Sequence, residues 1–66
     1  MQEKLIAWRR FNGLTQNYMA EKLGITLRTY QNKEYGDSQF KANEMFAIAN
    51  ILNKEISDIF LPVDFK

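Results

Sequence analysis

One six-residue stretch carries the side chains best suited to contact DNA base edges: Leu27, Arg28, Gln31 and Asn32. An arginine guanidinium fits guanine O6 and N7, a glutamine or asparagine amide fits adenine N6 and N7, and leucine can lie against a thymine methyl. In a helix, this spacing places the four side chains on one face. The alternative is an ordinary exposed helix face, which is polar without any binding role. Leu27 weighs against that alternative, because an apolar residue on such a face needs a reason.

These residues belong to the segment 15–36, which has the pattern of two short helices joined by a glycine-centred turn. Thr15 and Thr26 fit the N-cap positions of two helices, one over 16–23 and one running to about Tyr35. Such a helix-turn-helix holds its second helix where it can enter the major groove of DNA. The segment therefore predicts the element that positions the four side chains.

The rest of the chain predicts three more helices and no strand. Apolar residues recur at helical spacing over about residues 2–12, 41–53 and 55–60, and β-branched residues do not alternate with polar ones over a useful length. Sixty-six residues allow one modest core. We therefore expect an all-α fold of five short helices in a single domain, residues 1–66, with a C-terminal tail at 61–66.

The expected core takes the inward stripe of each helix. Its members are Leu5, Ile6 and Trp8 in helix one, Met19, Ala20 and Leu23 in helix two, Ile25, Thr29 and Tyr30 around helix three, Met45, Ile48, Ala49 and Leu52 in helix four, and Ile56, Ile59 and Phe60 in helix five.

Composition weighs against an enzyme and against a bound metal or cofactor. The chain has no cysteine and no histidine, and its eight scattered carboxylates form no catalytic constellation. No small-molecule ligand is evident. No apolar run reaches the roughly 18 residues of a membrane span, and no basic start precedes an apolar signal core. We expect a cytoplasmic protein.

Charge is distributed unevenly along the chain. Residues 1–41 hold seven Lys/Arg and four Asp/Glu, a net +3, whereas residues 42–66 hold two and four, a net −2. A basic part that contains the helix-turn-helix suits a polyanionic partner. The excess is small, so this indication is weak by itself.

Several short motifs together resemble the phage repressor and Cro-type family, also called xenobiotic-response-element regulators. They are Trp8-Arg9, GLTQ at 13–16, Met19-Ala20, LGIT at 23–26, Glu34 with Gly36, and ILNKEISDIF at 51–60. Their joint spacing covers about residues 4–60. The resemblance implies a lambda-repressor-like fold and a sequence-specific regulator of transcription that binds double-stranded DNA, a repressor of phage or mobile-element type.

The resemblance also implies roles outside the base-reading face. Arg9 and Glu34 match a family ion pair that ties helix one to the end of helix three, with two solvated charges as the alternative. Gln16 matches a family glutamine that bonds a DNA phosphate at a helix N-terminus, with an ordinary first-turn polar residue as the alternative. Further candidates for phosphate contacts are Tyr18, Thr26, Thr29, Lys33 and Lys41.

Two positions depart from the family pattern. Lys33 stands where the family usually has an apolar residue; its stem can lie along the core edge with the ammonium reaching a phosphate, unless the helix boundary differs. The loop after Gly36 contains Asp37 and has no cation before Lys41. Loop contacts to the DNA backbone would then rest on amides, with modest affinity.

Some apolar residues exceed what the core needs. Candidates for a homodimer contact are Ile51, Leu61, Val63 and Phe65. A dimer is expected because one unit covers too few base pairs for tight specific binding, although the tail could instead fold over its own core. The same surplus motivates a second functional hypothesis, a protein-interaction module such as an antitoxin-like partner.

Overall fold

The computed structural model describes residues 1–60, which form five helices and no strand. The helices are α1 (Glu3–Phe11), α2 (Gln16–Leu23), α3 (Leu27–Tyr35), α4 (Ala42–Leu52) and α5 (Ile56–Ile59). The predicted all-α class with five helices is thereby confirmed. The bounds of α2 match the prediction, and α3 also ends where expected. The ranges predicted for α1, α4 and α5 are one residue too long at each end, because they included the capping residues.

Local chemistry explains where α2 and α3 begin and end. The hydroxyl of Thr15 accepts a hydrogen bond from the Tyr18 N–H at 3.0 Å, and the hydroxyl of Thr26 accepts one from the Thr29 N–H at 3.1 Å. A cap of this kind contributes about 1 kcal/mol. After α2 the chain passes through Gly24 with φ +71°, a left-handed conformation that costs glycine little.

The core lies where the helices converge. Its buried apolar residues are Leu5, Met19, Ala20, Tyr30, Phe40, Ile48, Leu52, Ile59 and Phe60. Half-buried residues that pack around them include Trp8, Leu23, Ile25, Met45, Ala49 and Ile56. All of these except Phe40 were predicted to be inward-facing, whereas Leu14 and Ile51 also pack against the core and were not predicted there. Phe40 precedes α4 and escaped the helical pattern, which identifies only residues that repeat within a helix.

Aromatic rings join the helix-turn-helix to the C-terminal helices. The Phe40 ring stacks edge-on against Tyr30 of α3, with centroids 5.9 Å apart, and against Phe60, with centroids 5.4 Å apart. Such pairs contribute about 0.5–1.5 kcal/mol beyond their buried area. They help to hold α3 on the body of the protein.

The candidate dimer residues fall into two groups. Ile51 is half-buried and packs against the protein's own core, so most of its surface is already used. Leu61, Val63 and Phe65 lie outside the described residues. Phe11 and Phe46 are the most exposed aromatic side chains among residues 1–60, with 80% and 66% of their surface accessible. Within residues 1–60, no helix combines the length and apolar character needed to cross a membrane.

Candidate nucleic-acid interface

The turn between α2 and α3 brings the two helices into close contact. The Ile25 N–H donates to the Ala20 carbonyl at 3.0 Å, which closes the end of α2 and leads into the Thr26 cap of α3. Ala20 is only 1% exposed. A larger side chain there would push the helices apart, because protein interiors are close-packed. The small residue therefore helps to set the angle at which α3 leaves the body.

The predicted base-reading residues lie on α3 but differ in exposure. Leu27 is 38% exposed and Arg28 is also exposed, both in the first turn. Gln31 and Asn32 are half-buried one turn later. On the opposite side of the helix, Tyr30 is fully buried. The first turn of α3 therefore presents Leu27 and Arg28 to solvent.

Gln16 lies beside α3 and holds one of the predicted base readers. Its Nε2 donates to Glu34 Oε1 at 2.7 Å, while its Oε1 accepts a hydrogen bond from Gln31 Nε2 at 3.0 Å. This bond uses one of the two N–H groups of the Gln31 side-chain amide, so the other N–H group stays available to a base. Gln16 is thus more than a first-turn polar residue, since it orients Gln31. Its contact to phosphate remains a prediction.

Tyr35 is a candidate that the sequence analysis missed. Its hydroxyl is 3.4 Å from Gln16 Nε2, and the side chain is 47% exposed. The spacing of four residues from Gln31 is the signal that could have found it, because it places both side chains on the same side of α3. Gln16 and Tyr35 together present hydrogen-bonding groups from both helices at one point of the surface.

Arg9 and Glu34 form a buried ion pair between α1 and α3. Arg9 Nε is 2.9 Å from Glu34 Oε2, and Nη2 is 3.2 Å from Oε1, with side-chain exposures of 8% and 1%. Arg9 Nη1 also donates to the Leu14 carbonyl at 2.9 Å, which ties down the connection to α2. The alternative of two solvated charges does not hold.

The Glu34 carboxylate gathers further partners from the helix-turn-helix. It accepts the Tyr30 hydroxyl at 2.6 Å and the Gln16 amide at 2.7 Å in addition to Arg9. Burial, and then the hydrogen bond to Glu34, raise the pKa of the Tyr30 hydroxyl far above its ordinary value. Tyr30 therefore stays a neutral donor, and the carboxylate joins α1, α2 and α3 at one point.

Lys33 does not take the role predicted for it. The residue is 7% exposed, and its Nζ lies 2.6 Å from Oε1 of Glu44 in α4. The predicted phosphate contact of Lys33 is therefore wrong, because the ammonium already has a buried carboxylate partner. Burial alone would raise the pKa of Glu44, but hydrogen bonds from Lys33 and from the Lys41 N–H outweigh it and lower that pKa.

The other candidates for phosphate contacts lie around the edges of α3. Thr26 is exposed and Thr29 is half-buried, with their hydroxyls 2.9 Å apart. Tyr18 is 38% exposed, with the Lys22 ammonium 5.4 Å from its ring centre. Lys41 is exposed immediately before α4. The Thr26 hydroxyl already caps α3 and donates to the Thr29 hydroxyl, and the phosphate contacts of these four residues stay predictions.

The paired, closely packed α2 and α3, with an outward first turn on α3, define the helix-turn-helix class of DNA-binding proteins. Comparison with known protein families supports this class, because the model of the helix-turn-helix family matches residues 5–59. The chain belongs to this family, so it is a DNA-binding regulator of the Cro/repressor type, as the motif resemblance implied. No curated protein and no solved structure matches the chain.

Proposed function

We propose that this regulator is a sequence-specific repressor of the phage or mobile-element type, which inserts α3 into the major groove of double-stranded operators. The observation that best supports this proposal is the unequal exposure of the side chains of α3. Leu27 and Arg28 are exposed in its first turn, whereas Tyr30 and Glu34 are buried. A recognition helix contacts base edges mainly through its N-terminal residues, so the exposed turn is the one that the proposal needs.

Base recognition would be shared among four side chains of different chemistry. Arg28 would bond guanine O6 and N7, Asn32 or Gln31 would bond adenine N6 and N7, and Leu27 would lie against a thymine methyl. Gln31 enters the groove already held by Gln16. Pre-orientation of this kind lowers the entropy lost on binding.

Phosphate contacts would fix the register of α3 on the duplex. Gln16 at the start of α2 is the first candidate, because a helix N-terminus adds its own attraction for anions. Tyr35 is added because its hydroxyl lies near the Gln16 amide. The remaining candidates are Tyr18, Thr26, Thr29 and Lys41.

A homodimer would complete the site. Two copies related by a two-fold axis would place their α3 helices about 34 Å apart, on successive turns of a near-palindromic operator. Leu61, Val63 and Phe65 remain the candidates for the contact, and Ile51 contributes only the part of its surface left exposed. The molecular mass of the operator complex, measured by analytical ultracentrifugation, tests whether two copies of the protein bind one operator.

The test begins with selection of preferred duplexes from a random pool. The protein is then titrated against the selected duplex and a scrambled duplex at two salt concentrations. A groove reader loses affinity steeply as salt rises but keeps its preference for one sequence. A reporter gene with the selected site inside its promoter should fall in expression when the protein is present. If the protein shows no preference for the selected duplex over the scrambled duplex at low salt, the proposal is wrong.

Two substitutions separate base reading from phosphate contact. Arg28→Ala should cost about 1–3 kcal/mol on the selected duplex and relax the preference at one base pair. Tyr18→Phe removes only an exposed hydroxyl and should weaken binding to all sequences alike, because phosphate contacts carry no sequence information. Gln16→Ala does not separate the two roles, since Gln16 also holds the base reader Gln31. An equal loss on every duplex for Arg28→Ala would refute its base-reading role.

The second candidate function is a protein-interaction module. The exposed rings of Phe11 and Phe46 favour it, since 80% and 66% of their surface is accessible, and Phe11 has only one edge-on ring contact, to Trp8, among residues 1–60. It predicts that Phe11→Ser or Phe46→Ser abolishes partner binding without changing DNA binding. Duplex titration of the same variants distinguishes the two functions.

A further inference from the structure

A single carboxylate oxygen joins the last turn of α3 to the start of α4. Glu44 Oε1 accepts the Lys33 ammonium at 2.6 Å and the Lys41 backbone N–H at 2.8 Å. The side chains of Lys33 and Glu44 are 8% and 7% exposed. The first contact crosses between helices and the second caps α4, so the orientation of each helix end depends on the other.

The connector between α3 and α4 is held at its beginning as well. The backbone N–H groups of Asp37 and Ser38 donate to the Asn32 carbonyl at 2.8 and 3.3 Å. Asn32 is a proposed base reader and the immediate neighbour of Lys33. The backbone of the reading helix, the connector and the start of α4 therefore form one closed set of contacts.

A buried ion pair of this kind is expected to add little net free energy to the folded state. Removing two charges from water costs several kcal/mol per ion, and replacing a buried pair by well-packed neutral side chains is often neutral or stabilising. A charged hydrogen bond does supply a defined distance and direction. A flexible apolar chain in the same space packs in several rotamers.

We infer that Lys33 and Glu44 are positioning residues for base recognition: their pair fixes α3 against the start of α4 and so sets how Asn32 and Lys41 meet the duplex together. The inference rests on the proposed function, because it requires α3 to read bases. The pair acts through its neighbours, since both of its side chains are buried. Recognition geometry of this kind tolerates errors of only about 0.5 Å.

The test uses Lys33→Met, Glu44→Gln and the double variant. Lys33→Met leaves a buried carboxylate without its cation and should lower the unfolding temperature. The double variant removes both charges, while the new amide still offers an oxygen to the Lys41 N–H, so its unfolding temperature should return close to that of the wild type. As a control, Lys4→Met with Glu3→Gln makes the same charge changes at exposed positions of α1.

The decisive measurement is the ratio of affinities for the selected duplex and for the same duplex with one base pair changed. It is taken at a temperature where circular dichroism shows every variant folded. In the double variant we expect this ratio to fall about tenfold, on the scale of one lost base contact. Affinity for an unrelated duplex should stay within about twofold, and the control variant should keep the wild-type ratio.

Each outcome decides between the claims. A folded double variant with the wild-type ratio overturns the positioning role while leaving the proposed function intact. A wild-type protein without any sequence preference overturns both, and this is seen before a variant is measured. If the double variant does not fold, Glu44→Gln alone carries the test, because it keeps an acceptor for the Lys41 N–H but removes the charged bond to Lys33; its ratio must fall for the inference to stand.

Discussion

Replacement of Arg9 by methionine should lower the free energy of unfolding by about 3–5 kcal/mol. Arg9 supplies two donors to the Glu34 carboxylate, at 2.9 and 3.2 Å, and Glu34 is fully buried. Methionine keeps much of the apolar stem but no donor. The carboxylate then retains only the neutral Tyr30 hydroxyl and the Gln16 amide, which do not offset the cost of burying its charge.

The degree of burial decides the size of this effect. An exposed ion pair contributes about 0–1 kcal/mol, but side-chain exposures of 8% and 1% place this pair in the buried class. A chain of this length has a total stability of roughly 3–10 kcal/mol. The loss therefore takes a large part of that total. Since each 1 kcal/mol shifts the midpoint by about 4–8 °C, the unfolding temperature should fall by roughly 12 °C or more.

The assay is urea and thermal unfolding followed by circular dichroism at neutral pH. Arg10→Met is the matched control, because Arg10 is the exposed neighbour in α1, and its effect should stay within about 0.5 kcal/mol. Arg9→Met combined with Glu34→Gln should recover part of the loss, since no buried charge remains. A loss below about 1 kcal/mol for Arg9→Met would refute the reasoning, because that is the value of an exposed pair.

Two further predictions concern the helix ends. Because the folded-state pKa of Glu44 lies below the ordinary value of 4.5, its stabilisation is fully present above that value and is lost as the pH falls through the folded-state pKa; Glu44→Gln should unfold with a shallower acid dependence, and an unchanged slope would contradict this. Gly24→Ala should cost about 1 kcal/mol because φ is +71° there, although nothing lies within 4 Å of the added Cβ. Gly24→Asn should cost less in the same urea titration, since asparagine tolerates this conformation, and equal losses would argue against a backbone cause.

Many elements of the fold could be predicted from the sequence because their causes are local. The bounds of α2 follow from a threonine cap and a glycine within one short stretch, and the same signals delimit α3. The helical period also identified Leu5, Met19 and Ile48 as core residues. Phe40 was missed because it lies between helices, where no period applies.

The candidate site was predictable only in part. Residue types on α3 indicated which side chains could contact bases, but Lys33 was expected to lay its stem along the core edge and reach a phosphate with its ammonium. Its partner Glu44 is eleven positions away and belongs to another helix. No local pattern distinguishes a lysine that reaches water from one that meets a buried carboxylate.

The sequence by itself determined the helices, the turn between α2 and α3 and the family, since caps, glycines and apolar spacing act over a few residues. Only the tertiary structure decided which polar groups meet. Gln16 joins Gln31 and Glu34 across 15 and 18 positions, and Lys33 turns inward to Glu44. These contacts arise because packing the core brings distant segments together, and burial then requires each polar group to find a partner.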